Sequence, residues 1–330
     1  MTSAFCFFNN TSTNNSNINP LACCCLNDNV KDVEYWERKV HGVLTGTSTK
    51  ILGLSEHIRR GLLNEQDHSS EEQPRQQVNV TTMDIDEFDL NNLIFQGLPS
   101  RPLYKVLALR LCLLCNQSLQ KDHKLDTGTL SYSRPLLPAS AFGLEEELSL
   151  PHIPPPPIKH TNQQILQWIQ RAGDRGVLAV LGLRLTIGTD PHGLLPPSWF
   201  DLLTAANVRH KSHIPLTVVA RARAKHAHRC TKQQQLPEDH FFGMVRGSDE
   251  AQNKEAREII IKLLQETSWI NIHTFGGMGG KPSLELRVSS GYGARWTADW
   301  STDPANPTGV EFRGFLEPQM KDGHEKGWKH

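Results

Sequence analysis

Four short segments near the end of the chain constrain the fold more than any other feature. In each of them apolar and polar residues alternate, the pattern of a β-strand with one buried face. The segments are Trp269 to Phe275, Leu284 to Ser289, Tyr292 to Thr297 and Val310 to Leu316. Their connections are short and contain glycine, asparagine or proline, whereas parallel pairing needs crossovers of a dozen residues or more. The sequence therefore predicts an antiparallel sheet of about four strands.

Helical patterns precede these strands and complete an α+β fold class, with helices packed on one face of the sheet. The predicted helix starts are the caps Thr161, Ser198 and Ser248 and the proline Pro215. The helix that begins at Pro215 is predicted to run to about Arg229. Gly173 and Gly176 are predicted to end the first helix, and the apolar run from Val177 to Ile187 to form a buried strand.

The chain divides into four regions of different composition. Residues 1–31 contain eight asparagines and no apolar periodicity, so a disordered tail is expected. Residues 32–99 combine short helices with a polar and acidic linker, and residues 100–160 combine one buried helix (Leu103 to Leu119) with a proline-rich linker. Residues 161–330 are predicted to form the α+β core domain.

Charge and cysteine usage set limits on location and partners. Lysine plus arginine (35) equals aspartate plus glutamate (35), so the net charge gives no argument for a polyanionic partner. No secretory leader is recognisable, and no run of about 18 uncharged apolar residues exists to span a membrane. Seven unevenly placed cysteines indicate reduced thiols. We expect a cytoplasmic or nuclear protein without a membrane span.

Strand alternation sorts a group of polar residues onto one face of the predicted sheet. This group includes the candidate catalytic residues His273, Glu285, Arg295 and Arg313, together with Asn271 and Arg287. A carboxylate base, an imidazole acid and guanidinium groups are the residue types that metal-free phosphodiester cleavage requires. The alternative is that these side chains form ordinary charged pairs on a solvated face.

The order of helices followed by a sheet over residues 248–317 resembles that of small metal-independent ribonucleases. The resemblance lies in element order, and no residue motif accompanies it. It implies a ribonuclease-like activity on the polar sheet face.

A basic segment lies before the sheet. Between Arg209 and Lys232 there are seven lysines or arginines, four histidines and no acid. On a helix, Arg221 and Lys225 fall in one stripe, and such cations repel each other unless an anion or nearby carboxylates neutralise them. The candidate anion-binding residues are Arg221, Arg223, Lys225, His228 and Arg229. Arg223 falls within the apolar arc, so it is predicted to be either a structural ion pair or an anion ligand. The charges could instead complement the helix C-terminus.

No pattern in the sequence indicates a cofactor or a metal. His210 and His213 could converge if helical, but their spacing matches no zinc signature. The pair Cys112 and Cys115 lacks a second pair and is interpreted as core thiols. The glycine run from 276 to 281 joins two strands, so it is not a phosphate loop.

Three functions from different classes remain open at this point. The first is a non-catalytic module that binds RNA, phosphate or an acidic protein through the basic helix predicted over 215–229. The second is a metal-independent phosphodiesterase or ribonuclease-like enzyme on the polar sheet face. The third is a scaffold that uses the acidic and hydrophobic segment 83–95 as a docking peptide.

Overall fold

A computed structural model describes residues 21–65, 96–120, 161–186, 188–233, 241–274 and 281–318. Within these ranges, side chains are not described at 21–32, 113–120 and 228–233. The predicted docking peptide, the proline-rich linker, the glycine run and the last twelve residues lie outside the described residues. The scaffold hypothesis therefore stays a prediction.

Eight helices and six strands make up the described part of the chain. The helices are α1 (Leu21–Gly46), α2 (Thr49–Leu52), α3 (Glu56–Leu63), α4 (Leu103–Gln120), α5 (Asn162–Val180), α6 (Trp199–Asn207), α7 (Val218–Gln233) and α8 (Asp249–Glu266). The strands are β1 (Arg209–Lys211), β2 (Ile214–Thr217), β3 (Thr267–Thr274), β4 (Pro282–Val288), β5 (Gly293–Asp299) and β6 (Thr308–Leu316). Helix α1 begins inside the segment for which composition indicates disorder.

The predicted α+β fold is confirmed. Strands β3 to β6 form an antiparallel sheet in the order β3-β4-β5-β6, and helices α6, α7 and α8 contact it. The apolar face meets the helices as alternation predicts, because Leu284, Leu286 and Trp296 are fully buried there. The indole nitrogen of Trp296 donates a hydrogen bond to the Leu202 carbonyl of α6 at 3.2 Å, which joins helix and sheet.

The predicted N-caps also stand where the sequence indicates. Thr161 and Gln164 form a reciprocal capping box at the start of α5, and Ser198 and Asp201 form another at α6. The Ser248 side chain accepts from the third backbone amide of α8. These caps satisfy amide groups that the first helical turn leaves without partners, so the helices begin at defined residues.

The prediction of a strand over Val177 to Ile187 is wrong. Helix α5 passes through Gly176 and ends at Val180, with a kink at Gly173, whose φ of 58° and ψ of −168° are not helical. A glycine can adopt this conformation without steric cost, so the helix bends there instead of ending. Short apolar runs fit a buried helix as well as a buried strand, which explains the error.

Pro215 does not open a helix, in contrast to the prediction. It lies in β2, which pairs with β1 as a two-stranded hairpin, and α7 begins three residues later. The Thr217 hydroxyl accepts a hydrogen bond from the Ala220 amide at 3.2 Å and so caps α7. This hairpin fixes the position of residues 209–217 beside the first turns of α7.

The loop after α5 covers the outer edge of β3. Leu183 forms a parallel bridge with Ile270, and the Arg184 amide donates to the Ile270 carbonyl at 2.7 Å. Further along the loop, the Asp190 amide donates to the Ile272 carbonyl at 2.9 Å. Residues 183–186 and 188–190 thus belong to the same folded unit as the sheet.

Helix α4 confirms the buried helix predicted after residue 100. It packs against α1, α3 and α5, and its residues Leu103, Leu107 and Leu111 are fully buried. Cys112 on the same helix is buried as well. Across the described ranges, no helix combines the length and apolarity needed to traverse a bilayer.

Candidate functional site

The strand register brings three polar residues side by side on the sheet. Asn271 on β3 lies opposite Glu285 on β4, and Glu285 lies opposite Arg295 on β5. His273 and Arg287 lie two residues further along their strands and project to the same face. We call His273, Glu285, Arg287 and Arg295 the sheet-face cluster.

Glu285 is the centre of this cluster. Its Oε1 atom accepts from Arg287 Nε at 2.6 Å, and its Oε2 atom accepts from Arg295 Nη2 at 2.7 Å. The His273 Nε2 atom lies 3.5 Å from Glu285 Oε2. Arg287 Nη1 also donates to the carbonyl of Gly291 at 2.7 Å. One carboxylate therefore orients two guanidinium groups and contacts one imidazole.

The expectation of an open, solvated sheet face is wrong for most of this cluster. Glu285 is 1% exposed and Arg287 is 2% exposed. His273 is buried too, and its ring packs 5.6 Å from that of Trp269. The Arg295 side chain, at 24% exposure, is the member that solvent reaches most readily. Buried charges persist there because the carboxylate and the guanidinium groups satisfy each other.

The environment of Glu285 determines its protonation state. Burial by itself would raise the pKa of Glu285, but the hydrogen bond from His273 and the charges of Arg287 and Arg295 outweigh burial. The pKa is consequently held well below its ordinary value of 4.5. A carboxylate held so firmly in its ionised form is a weak proton acceptor at neutral pH.

Arg313, the fourth candidate catalytic residue, lies elsewhere. Strand β6 contains a bulge, because Arg295 pairs with Gly314 whereas the next residue, Trp296, pairs with Phe312. Arg313 is the extra residue of that bulge. Its guanidinium lies 3.4 Å from Glu311 and borders a surface groove next to α7.

This groove, which we call the basic groove, lies between α7 and β6 and has a volume of about 500 Å³. Its lining residues are His210, Val218, Arg221, Ala222, Ala224, Lys225, Phe312, Arg313 and Gly314. The hairpin, the helix and the edge strand each contribute a basic side chain. Among these lining residues none is acidic, so the groove concentrates positive potential.

The anion-binding residues predicted on the basic helix occupy different environments. Arg221 and Lys225 are exposed and line the basic groove. Arg223 is buried, and it donates to Glu255 at 2.6 Å and to the carbonyls of Phe242 and Met244 at 2.8 and 3.0 Å. These contacts are those of a structural ion pair. The side chains of His228 and Arg229 lie outside the described residues.

His210 is a groove residue for which the sequence predicts no such role. It is half-buried on β1, whereas its neighbours Arg209 and Lys211 are exposed. Partial burial lowers the pKa of His210 below its ordinary value of 6.5, and the nearby charges of Arg221, Lys211 and His213 lower it further. Both effects favour the neutral form of its imidazole.

Metal ligands do not converge in the part of the chain that the structure describes. Over the described ranges, no group of three or more His, Cys, Asp or Glu side chains is placed to hold a metal ion. His210 lies in the basic groove, and His213 is exposed in the hairpin turn.

Comparison with known proteins bears directly on the function. Residues 205–317 match a family model described as the CdiA C-terminal tRNase toxin domain. No curated protein and no solved structure matches the chain. The matched region begins within α6 and includes the basic groove, the sheet-face cluster and all four strands of the sheet. The prediction of a non-catalytic anion-binding module is therefore wrong, and the comparison favours the ribonuclease-like alternative.

Proposed function

We propose that this chain is a nuclease that cleaves tRNA. The observation that carries the proposal is the match of residues 205–317 to a tRNase toxin domain. That match ends one residue after β6, so the same stretch supplies the groove and the sheet. The alternating polar residues that first pointed to phosphodiester chemistry belong to this stretch as well.

The basic groove is the surface proposed to hold the RNA backbone. Arg221 and Lys225 lie one helical turn apart on α7, and Arg313 lies across the groove on β6. Arg221 and Lys225 repel each other in the free protein, and a phosphate relieves that repulsion. The guanidinium groups of Arg221 and Arg313 also match the geometry of phosphate oxygens.

The sheet-face cluster supports the site in this proposal. Glu285 is a positioning residue, because its two oxygen atoms already hold Arg287 and Arg295 and its low pKa makes it a weak base. Arg295, which is partly exposed, is the cluster member proposed to approach substrate. His273 is proposed to complete the buried contacts of Glu285.

The proposed activity is tested with the purified full chain and unmodified tRNA, in excess chelator because the proposed chemistry uses side chains alone. We expect discrete tRNA fragments on a denaturing gel.

The triple variant R221Q/K225Q/R313Q should lose most of the cleavage because phosphate contacts position the substrate. The control variant K50Q/K254Q/K262Q removes the same charge at exposed lysines outside the groove and should cleave like the wild type. Intact tRNA after incubation with saturating wild-type protein would refute the proposal.

A further inference from the structure

The β1–β2 hairpin places one imidazole inside the basic groove. Lys211 pairs with Ile214, and the Val218 amide donates to the Val208 carbonyl at 2.9 Å, which ties the hairpin to the start of α7. His210 lines the groove and is half-buried, whereas its neighbours Arg209 and Lys211 are exposed. The imidazole of His210 thus lines the basic groove together with Arg221, Lys225 and Arg313.

We propose that His210 is the proton acceptor for RNA cleavage in the basic groove, an inference that rests on the proposed nuclease function. An imidazole nitrogen takes the proton of a ribose 2′-hydroxyl, whose oxygen attacks the adjacent phosphorus. The O2′–P bond forms, the P–O5′ bond breaks, and the departing 5′-oxygen takes a proton from water. The products are a 2′,3′-cyclic phosphate and a 5′-hydroxyl, and the imidazolium returns its proton to water.

The charges that face His210 favour this role. Arg221 and Lys225 face it from α7, Arg313 from β6, and Lys211 and His213 from its own hairpin. Strand β2 carries no ionisable side chain. Every ionisable group in this set is basic, so the surroundings disfavour the protonated imidazole, and a neutral imidazole is what a proton acceptor must be. The three groove cations Arg221, Lys225 and Arg313 also stabilise the negative charge that develops on the phosphate oxygens in the transition state.

Two other histidines, His213 and His273, do not line the basic groove. His213 is exposed at the hairpin turn and does not line the groove. His273 is buried, its Nε2 atom lies 3.5 Å from the carboxylate of Glu285, and it does not line the groove. His210 is therefore the histidine of the three that lines the groove together with its cations.

The first test compares H210Q with the matched control H213Q in single-turnover cleavage of tRNA. General base catalysis contributes a factor of about 10² to 10⁴, so H210Q should be slower by at least about 100-fold. Its Kd for tRNA should stay within about threefold of the wild-type value, since the three cations remain. H213Q should cleave at close to the wild-type rate. The wild-type products should carry the cyclic phosphate at the 3′ end of the upstream fragment.

The second test uses the pH dependence of kcat/KM. The rate should fall as the pH drops through the His210 pKa, so the acidic limb should have its midpoint below 6.5. Lys211 is exposed and outside the groove, and K211Q removes one of the charges that lower this pKa. The K211Q limb should move to higher pH while the plateau rate is unchanged.

The outcomes separate the two proposals. A wild type that cleaves tRNA together with an H210Q variant of equal rate would overturn the role of His210 and leave the nuclease function standing. A wild type that leaves tRNA intact would remove the nuclease function itself. If H210Q fails to fold, the pH dependence of kcat/KM for K211Q is the deciding measurement. An acidic limb at the same pH in K211Q and in the wild type would overturn the inference.

Discussion

Glu285 on β4 and Arg295 on β5 lie directly opposite each other, and the Arg295 Nη2 atom donates to the Glu285 Oε2 atom at 2.7 Å. Glu285 is fully buried by this arrangement, whereas part of Arg295 stays accessible. A carboxylate at the centre of the sheet therefore fixes a guanidinium that solvent can reach.

The first prediction concerns the stability that Glu285 contributes. E285Q leaves two guanidinium groups without their shared carboxylate, so at pH 7 the free energy of unfolding should fall by about 3 kcal/mol. Because the folded pKa of Glu285 is lowered, its contribution is present above pH 4.5 and is lost as the pH falls further. Urea unfolding of both proteins from pH 7 to pH 3 should show the difference shrink below pH 4.5. A difference that grows in acid would contradict the ionised assignment.

The second prediction concerns the salt dependence of tRNA binding. Each phosphate contact contributes about 0.7 to 0.9 to the slope of log K against log salt concentration. R221Q/K225Q should therefore reduce the magnitude of that slope by about 1.5, measured by filter binding between 50 and 300 mM salt. The control K254Q/K262Q changes two exposed lysines of α8 and should leave the slope unchanged. Equal slopes for all three proteins would exclude the groove as the binding surface.

The third prediction separates the two roles considered for Arg223. R223L removes a buried guanidinium with three acceptors and should destabilise the fold by about 3 kcal/mol. E255Q should cost about 1 kcal/mol or less, because the Glu255 side chain is 45% exposed. Both values follow from denaturant unfolding at pH 7. An R223L protein of wild-type stability with a reduced salt slope would instead identify Arg223 as an anion ligand.

The fourth prediction contrasts two glycines. A Cβ atom at Gly293 would overlap the Leu286 carbonyl oxygen of the neighbouring strand, so G293A should lower stability by about 2 kcal/mol or more. Gly42 lies near the end of α1 with open space around it, and G42A should raise stability by about 0.5 to 1 kcal/mol. Thermal unfolding of the two variants should shift Tm in opposite directions. A G293A protein as stable as the wild type would show that β4 and β5 can separate at this point.

The sheet and its polar residues could be predicted because strand alternation is a local pattern. Alternation places Glu285 and Arg295 on one face, and the structure confirms that they are neighbours. Their burial could not be predicted, because it depends on the partners that long-range packing supplies. The position of Arg313 could not be predicted either, because Arg313 is the extra residue of a bulge in β6. A bulge changes the face of the sheet to which a side chain projects, and the amino-acid composition of the strand does not reveal it.

Only some of the residues of the basic groove can be predicted from the sequence. Arg221 and Lys225 follow from helical spacing, whereas His210 lies on a strand of three residues, too short for a periodic signal. Pro215 obscured that strand further, because proline is common at the first position of a helix and is also tolerated in an edge strand. The presence of His210 shortly before a basic helix is the sequence signal that points to this hairpin.

The contacts of Arg184, Gly188 and Asp190 with β3 matter for any attempt to excise the matched region. That region begins at residue 205, after the loop, and a fragment cut there would leave the carbonyls of Ile270 and Ile272 and the amide of Thr274, on the outer edge of β3, without their loop partners. An uncovered strand edge recruits further strands from other molecules, so the fragment would self-associate through β3. A fragment that keeps this edge of the sheet covered therefore starts upstream of Leu183.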